Sequence, residues 1–530
     1  MQKICVTEKE FKAIREAGGV YVDKTKHISD LFSDDKYFFL TRPRRFGKSL
    51  LCSTLAELFS ANRALFNGLW IDSSDWVWKK YPVLRFDMSK IASPTATAAD
   101  VRQGIVNLLS DNAQHIGVAD LKEGTPYLMF EQLIKKTKEV HGENVVVLID
   151  EYDKPLLDVI NDQSRYRDIQ KELCAFYSQL KPAEEDLKFV LITGVFKFTQ
   201  ASIFSGLNNL NDISFDPHAA ELLGYTEQEI RAFFPEHLAV LAAKNNISVD
   251  AMMLKLQKHY NGYFFGVDVD TGEPFGGVYN PFALNYVFKA QQQLDKWFES
   301  GSPAALIKKL TATQFEDLDP ENLTVHFSTL VKSCSADDIT ALSMLYYTGY
   351  VTLKKYHNKR VTLGFPNAEV ACAFTEALLP LLLHKSSSAV TKIMDKIHDL
   401  FEEERLSDLK QLLNDALAPV AYPVLAKPQN DSPQEHLYQI AFYYLFIGSK
   451  MPTTLEDMTN RGRIDIVVQL PSVIYVFELK MDEPAAVAIQ QIKDKDYSAK
   501  FRHMGKQVYA IGISVNSEKR YVKELEWELL

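Results

Sequence analysis

Cysteine is scarce in this chain and unpaired in pattern: Cys5, Cys52, Cys174, Cys334 and Cys372 are scattered, odd in number and lack any CxxC spacing. That excludes a disulfide framework and a cysteine-zinc site, and predicts reduced thiols in a cytoplasmic protein. Long hydrophobic runs are missing as well. The greasiest stretch, Leu378-Leu379-Pro380-Leu381-Leu382-Leu383, falls far short of the roughly 20 residues that span a bilayer. The N-terminus lacks the basic-then-apolar order of a signal peptide, so no membrane is expected as a partner. Positive charge is in deficit, with 59 Lys and Arg against 69 Asp and Glu for a net charge of −10. This excludes indiscriminate coating of nucleic acid, which rests on neutralising phosphates, but leaves room for a local basic groove. Repeats and low-complexity tracts are absent. What remains is an ordinary globular composition, 46% hydrophobic and 24% charged over 530 residues, too long for a single core and expected to form two to four domains.

Up to about residue 225, short apolar runs alternate with longer helical patterns. The runs are Tyr37 to Leu40, Val83 to Phe86, Val145 to Ile149 and Phe189 to Ile192. This order predicts a parallel sheet covered by helices, with functional side chains at the carboxyl ends of the strands. Thr226-Glu227-Gln228-Glu229 reads as a capping box that opens a mostly helical region. Near the end of that region, the helical Ala341 to Tyr347 stops at Gly349. Tyr350 to Leu353 and Val361 to Phe365 then flank a polar turn, His357-Asn358-Lys359-Arg360. A helix followed by a two-stranded wing points to a winged-helix unit, read as a packing or lid element ahead of a DNA reader. Ser386-Ser387-Ser388 and the proline-bearing stretch Pro419 to Pro433 read as connectors around a helical spacer. The expected domains are 1–225, a lid region at 226–383, a spacer at 384–430 and a separate α/β unit at 431–530.

Arg42-Pro43-Arg44-Arg45-Phe46-Gly47-Lys48-Ser49 lies between the first strand and a helical pattern, which is a P-loop context. Amides along Arg44, Arg45, Phe46 and Gly47 would wrap a polyphosphate, Lys48 would reach its outer phosphates, and the Ser49 hydroxyl would ligate Mg²⁺. Arg42 stands where the pattern's first glycine is usual. The apolar strand Val145 to Ile149 ends in Asp150 and Glu151. Asp150 is expected to hold the Mg²⁺ shell and Glu151 to polarise the attacking water. Thr193, closing the strand Phe189 to Ile192, could sense the outer phosphate.

Tyr21-Val22-Asp23-Lys24-Thr25, the Arg42 to Ser49 loop, Asp150-Glu151-Tyr152-Asp153-Lys154-Pro155 and Ser202-Ile203-Phe204-Ser205-Gly206-Leu207-Asn208-Asn209-Leu210 together resemble the bacterial AAA-ATPase-like family. The likeness covers residues 5 to 225 closely. It continues through Tyr260-Asn261-Gly262-Tyr263, Tyr279-Asn280-Pro281-Phe282 and Leu363-Gly364-Phe365-Pro366-Asn367. In that family the missing first glycine is habitual. The resemblance implies ATP as the nucleotide, and implies its binding more firmly than its turnover.

Toward the C-terminus, Arg463-Ile464-Asp465-Ile466-Val467-Val468 and Val473-Ile474-Tyr475-Val476-Phe477-Glu478-Leu479-Lys480 are separated by a short turn. Alternation puts Glu478 and Lys480 on one face of the second strand, and hairpin pairing brings Asp465 close. Two carboxylates would bind Mg²⁺ or Mn²⁺ through oxygen, and Lys480 would orient or deprotonate a water. This arrangement resembles the PD-(D/E)XK nucleases. The resemblance implies a further acidic ligand from Glu435 and an assisting role for Gln491 on the helix after the site.

The expected fold is therefore an α/β multidomain protein. A P-loop NTPase (AAA-like) parallel sheet with a helical and winged-helix lid precedes a restriction-endonuclease-like α/β domain. The expected function is an ATPase coupled to a metal-dependent nuclease, with DNA ahead of RNA as partner and homo-oligomerisation left open. The alternative is an ATP-dependent switch whose inactive nuclease-like domain docks nucleic acid or protein. His141, His384 and His503 lack metal-ligand spacing. Trp76 and Trp78 read as core, and the cluster Glu316, Asp317, Asp319 and Glu321 as a solvated loop.

Overall fold

The computed structural model of the chain describes residues 1–530 except 33–34, 120, 123, 199–203, 205–208, 269, 294–322, 332–339, 384, 419–433 and 460–461. Most of the Ser202–Leu210 motif, the acidic cluster from Glu316 to Glu321, His384 and the Pro419–Pro433 connector lie outside the described residues. The chain divides into two compact units, Met1–Gly301 with Thr324–Asn367, and Ser302–Leu323 with Ala368–Leu530.

The first unit is built on a sheet of β1 (Tyr37–Thr41), β2 (Val83–Asp87), β3 (Val145–Asp150), β4 (Leu187–Gly194) and β5 (Asn211–Asp212). Their order is β2-β3-β4-β1-β5, and every pairing is parallel. All residues of β1 and β3 are buried, as befits strands covered on both faces, where unbroken Phe, Val, Leu and Ile runs replace the alternation of a half-exposed sheet. Helices Lys48–Phe59, Ala98–Ile116, Pro126–His141 and Gln163–Tyr177 join the strands.

The box at Thr226 forms as the sequence requires: the Glu229 amide donates to the Thr226 hydroxyl at 3.2 Å and the Thr226 amide to the Glu229 carboxylate at 2.8 Å. The helices it opens bury Ile230, Phe234, Leu238, Leu241, Met252, Leu256, Tyr260, Leu284 and Phe288 in one core. A small hairpin, β6 (Gly266–Val267) and β7 (Pro274–Phe275), follows. The helix Ala341–Thr348 stops at Gly349, which is left-handed. The wing then has three strands, β8 (Thr324–His326), β9 (Thr352–His357) and β10 (Arg360–Gly364), ordered β8-β10-β9 and antiparallel.

The second unit contains helices Ala368–Leu382, Ser387–Glu402, Leu409–Leu417 and Gln434–Gly448. Its sheet runs in the order β11 (Thr453–Thr459), β12 (Gly462–Gln469), β13 (Val473–Met481), β14 (Gln507–Asn516) and β15 (Tyr521–Leu529). Only β13 and β14 are parallel. A parallel neighbour needs a crossover, here the helix Ala485–Asp494. That helix lies so close that a β-carbon at Gly512 would fall 2.2 Å from the Ala485 carbonyl oxygen. Ile464, Val467, Ile474, Val476, Ile492 and Phe501 fill the core beneath. Among the described residues no helix is long and apolar enough to cross a membrane.

Candidate functional site

The first unit holds a cavity of about 420 Å³, lined on one side by Arg44 to Leu51 and on the others by Tyr21, Lys24, Glu151, Tyr225 and Phe282, among others. Gly47, with φ of 95°, makes the left-handed turn into helix Lys48–Phe59, a conformation glycine adopts without strain. The Lys48 ammonium is buried and donates to the carbonyls of Arg42 at 2.8 Å and Pro43 at 3.0 Å; burial lowers its pKa. Ser49 stands beside it on the cavity wall. An ammonium resting on neutral carbonyls at a helix N-terminus, beside a hydroxyl, is a donor set that fits a polyphosphate and its divalent cation.

Arg42, the residue in place of the usual glycine, turns away from the cavity. Its guanidinium donates to the carbonyls of Thr41 at 2.9 Å, Ser214 at 2.7 Å and Ala219 at 2.9 Å, and lies 4.2 Å from the Phe265 ring centroid. Phe46 is likewise a core side chain, its ring 4.8 Å from Tyr263 and 5.2 Å from Phe265. Only its backbone remains for a phosphate. Arg45 stacks over Phe282 at 4.5 Å, and Arg44 stays half-exposed on the wall.

At the strand ends, the Thr193 hydroxyl donates to Asp150 at 2.7 Å, so these two predicted residues meet. Glu151 follows with a positive φ of 51°; burial and then the adjacent Asp150 raise its pKa. Asp87 is the register partner of Asp150 on β2, and the Lys9 ammonium lies 3.3 Å from it.

Sequence reasoning gave no separate role to the two residues that tie this region together. Tyr152 is pinned at both ends: its amide donates to the Thr193 carbonyl at 3.0 Å, its hydroxyl donates to the Phe196 carbonyl at 2.9 Å and accepts the Phe198 amide at 3.1 Å. Asp153, 1% exposed, accepts the amides of Val195 at 3.0 Å and Phe196 at 2.6 Å. Its other oxygen has no hydrogen-bond partner. Burial pushes its carboxyl up to about 6 although those amides favour the charged form. Gly194 is obligatory beneath them, since a β-carbon there would lie 2.5 Å from the Tyr152 ring.

Within the Tyr21–Thr25 motif, Asp23 accepts the amide of Thr25 at 2.9 Å and of Trp70 at 2.7 Å. The buried Lys24 ammonium donates to the Glu221 carbonyl at 2.8 Å and pairs with Glu229 at 2.6 Å.

In the second unit, Ile466 pairs with Phe477 across β12 and β13, bringing Asp465 beside Glu478. Asp465 accepts the Leu479 amide at 2.7 Å and a hydrogen bond from Gln439. The Lys480 ammonium lies 3.2 Å from Glu478 Oε1, and the Gln491 amide group donates to the same oxygen. Gln439 escaped the sequence reading, although it lies one helical turn after Glu435, on the same face. Tyr497 supports the far side, bonded to Gln491 and donating to the Arg463 carbonyl at 2.9 Å.

Glu478 is 2% exposed, and its Oε2 is buried without a partner. Burial, then Asp465, raises its pKa, and burial raises that of Asp465. Burial works to discharge Lys480, but Glu478 and Glu435 outweigh it and raise its pKa. Glu435 borders the site, accepting the Met481 amide. Among the described residues no three or more His, Cys, Asp and Glu side chains converge to hold a metal ion. Two carboxylates with a spare buried oxygen still suit Mg²⁺, which commonly takes one or two carboxylates and completes its shell with water and substrate phosphate.

Known proteins share both halves. A family described as "Predicted AAA-ATPase" matches residues 5–204, and the PD-(D/E)XK nuclease superfamily matches residues 433–525. An uncharacterized protein in the vnfD 5' region of Azotobacter chroococcum mcd 1 is 34% identical over 529 residues, 98% of each chain. Two solved structures align over 67% of this chain: Cdc6p from Pyrobaculum aerophilum (8% identity, 93% of that chain, TM-score 0.24) and the Aeropyrum pernix ORC1 protein in complex with DNA (13%, 91%, TM-score 0.24). At those scores neither bears on the argument.

Proposed function

Because the chain belongs to the family of predicted AAA-ATPases that carry a C-terminal PD-(D/E)XK nuclease-superfamily domain, we propose that it is an ATP-controlled, metal-dependent nuclease acting on DNA or RNA phosphodiesters. The observation that carries the nuclease half is Glu478 Oε2, a carboxylate oxygen buried without a partner. An interior oxygen of that kind costs stability. Its presence on a carboxylate beside Asp465 is accounted for if a divalent cation sits there.

At this second site Asp465 and Glu478 would hold Mg²⁺ or Mn²⁺. The cation would supply charge stabilisation at the scissile phosphate. Lys480 is placed to orient the attacking water and to meet developing negative charge, with Gln491 fixing the Glu478 carboxylate. Glu435 serves as an outer acidic neighbour. In the first unit, Lys48 would exchange its two carbonyl contacts for the outer phosphates of ATP. Ser49 and Asp150 would hold its Mg²⁺, Glu151 would take the proton of the hydrolytic water, and Thr193 would keep Asp150 oriented.

The test is direct: incubate the full chain with plasmid, single-stranded DNA and RNA in Mg²⁺ or Mn²⁺, with and without ATP. Cleavage that disappears in Glu478→Gln and Lys480→Ala, together with ATP binding lost in Lys48→Ala, is expected. Undiminished cleavage by Glu478→Gln would remove the catalytic assignment. Metal-independent retention of nucleic acid without cutting would favour the second reading, a nucleotide switch with a docking module. The absence of a three-acid cluster among the described residues speaks for that reading.

A further inference from the structure

The three-stranded wing of the first unit has one packed face and one open face, and the two differ in chemistry. Val361 is fully buried on the packed side. On the other side, strand register sets His326, Arg360 and His357 in one row and Thr324, Thr362 and Lys355 in the next. Directly paired residues share a face, and residues two apart on a strand lie about 6.8 Å from each other. All of these side chains are exposed except Thr362, which is half-buried. The β9–β10 turn adds Asn358 and Lys359, both left-handed with φ of 47° and 63° and both exposed.

No acidic residue occurs on β8, β9, β10 or the turn, in a chain whose net charge is −10. Lys355, Lys359 and Arg360 make no ion pair with any described residue, although this chain pairs many of its surface cations elsewhere. At the outer edge of β9 the acid-bearing Asp268–Glu273 turn is joined to the sheet, its Gly272 carbonyl accepting the Tyr356 amide. The cationic lane therefore runs along β10 and the turn.

From this geometry we infer that the exposed face of β8, β10 and β9, with Lys355, Lys359 and Arg360 as its principal cations, is a docking surface for the phosphate backbone of a nucleic acid. Cations spaced along strands and a turn that carry no acid suit an extended polyanion. The exposed Thr324 adds a hydroxyl able to bond phosphate oxygens, and the exposed His326 and His357 add ring nitrogens to the same face. The surface reads charge and not sequence, since no base-reading helix or pocket is part of it.

The proposal is tested by anisotropy of a fluorescent duplex of about 30 base pairs, titrated with the full chain in EDTA so that cutting plays no part, across about 50 to 200 mM salt. Neutralising three phosphates contributes about 2.7 to the slope of log affinity against log salt, or about 40-fold in affinity over that fourfold salt range. The Lys355→Gln, Lys359→Gln, Arg360→Gln variant should lose that share of the slope while binding fluorescent ATP as the parent does. Lys355→Arg with Lys359→Arg should keep it. An unchanged slope in the Gln variant, no duplex binding by the parent, or equal competition by polyglutamate of matched charge would each overturn the assignment. Because nothing is cleaved in EDTA, a failure here leaves the nuclease reading to its own assay.

Discussion

Asp153 offers the sharpest test of the buried electrostatics. It is 1% exposed, and burial raises its carboxyl from the ordinary 3.8 to about 6. The folded chain thus holds this proton more tightly than the unfolded chain does. Above about pH 6 the group is ionised in both states, and the native state bears the full cost, about 2 units at 1.36 kcal/mol each, or about 3 kcal/mol. Below about pH 4 both states are protonated and the cost vanishes. Stability contributed at this position therefore falls as pH rises from about 4 to 6.

Asp153→Asn removes the charge while its amide oxygen can still accept the Val195 and Phe196 amides. The new NH₂ takes the place of an oxygen that has no partner, which gives back part of the gain. A net stabilisation of about 1–3 kcal/mol is expected above about pH 7, shrinking to nothing near pH 4. Urea unfolding followed by tryptophan emission reads it out, since Trp70, Trp76 and Trp78 lie in the first unit. An Asn variant less stable than the parent at neutral pH, with the parent's pH slope intact, would refute burial as the governing effect.

Three further outcomes are expected. Arg42→Gly restores the usual P-loop residue but abandons three carbonyls and the Phe265 ring; it should lower the first unit's stability by about 2–4 kcal/mol in urea titrations. Gly194→Ala drives a methyl into the Tyr152 ring and should cost about 1–3 kcal/mol, with reduced ATP hydrolysis; a variant matching the parent in both would show that the Tyr152 seam yields freely. Mn²⁺ affinity at the second site should rise with pH through the neutral range, because burial and Asp465 keep a proton on Glu478 that the cation must displace. Calorimetry in buffers of different ionisation enthalpy should register the released proton, and Glu478→Gln should remove the part of the pH dependence that lies above the titration of Asp465.

Strand content at the core of each unit was legible because it depends on runs that have no other comfortable home. Tyr37 to Leu40 and Val145 to Ile149 are too short for helices and too apolar for loops, and both became buried central strands. Glu478 and Lys480 followed from alternation alone. Less was visible where one strand depends on another. β5 is two residues long and gains its place only by pairing with β1, and β8 exists only as the partner of β10. Arg42 read as a gap in a phosphate-binding pattern because its actual partners, the carbonyls of Ser214 and Ala219, lie more than 170 residues away. Asp153 was visible as a motif letter, but its work on the Val195 and Phe196 amides depends on the neighbouring strand. Gln439 was the one omission that spacing could have supplied.

Glu229 stands at a junction whose consequence is evolutionary. One carboxylate both closes the first turn of its own helix and neutralises Lys24, more than 200 positions earlier in the chain. A replacement without a carboxylate there strands a buried cation, and one whose side chain cannot accept the Thr226 amide also loses half of the capping box in the same step. Acceptable substitutions at positions 24 and 229 should therefore arrive as matched pairs, an apolar residue at 24 together with a neutral cap at 229, and single changes at either should be rare in related sequences.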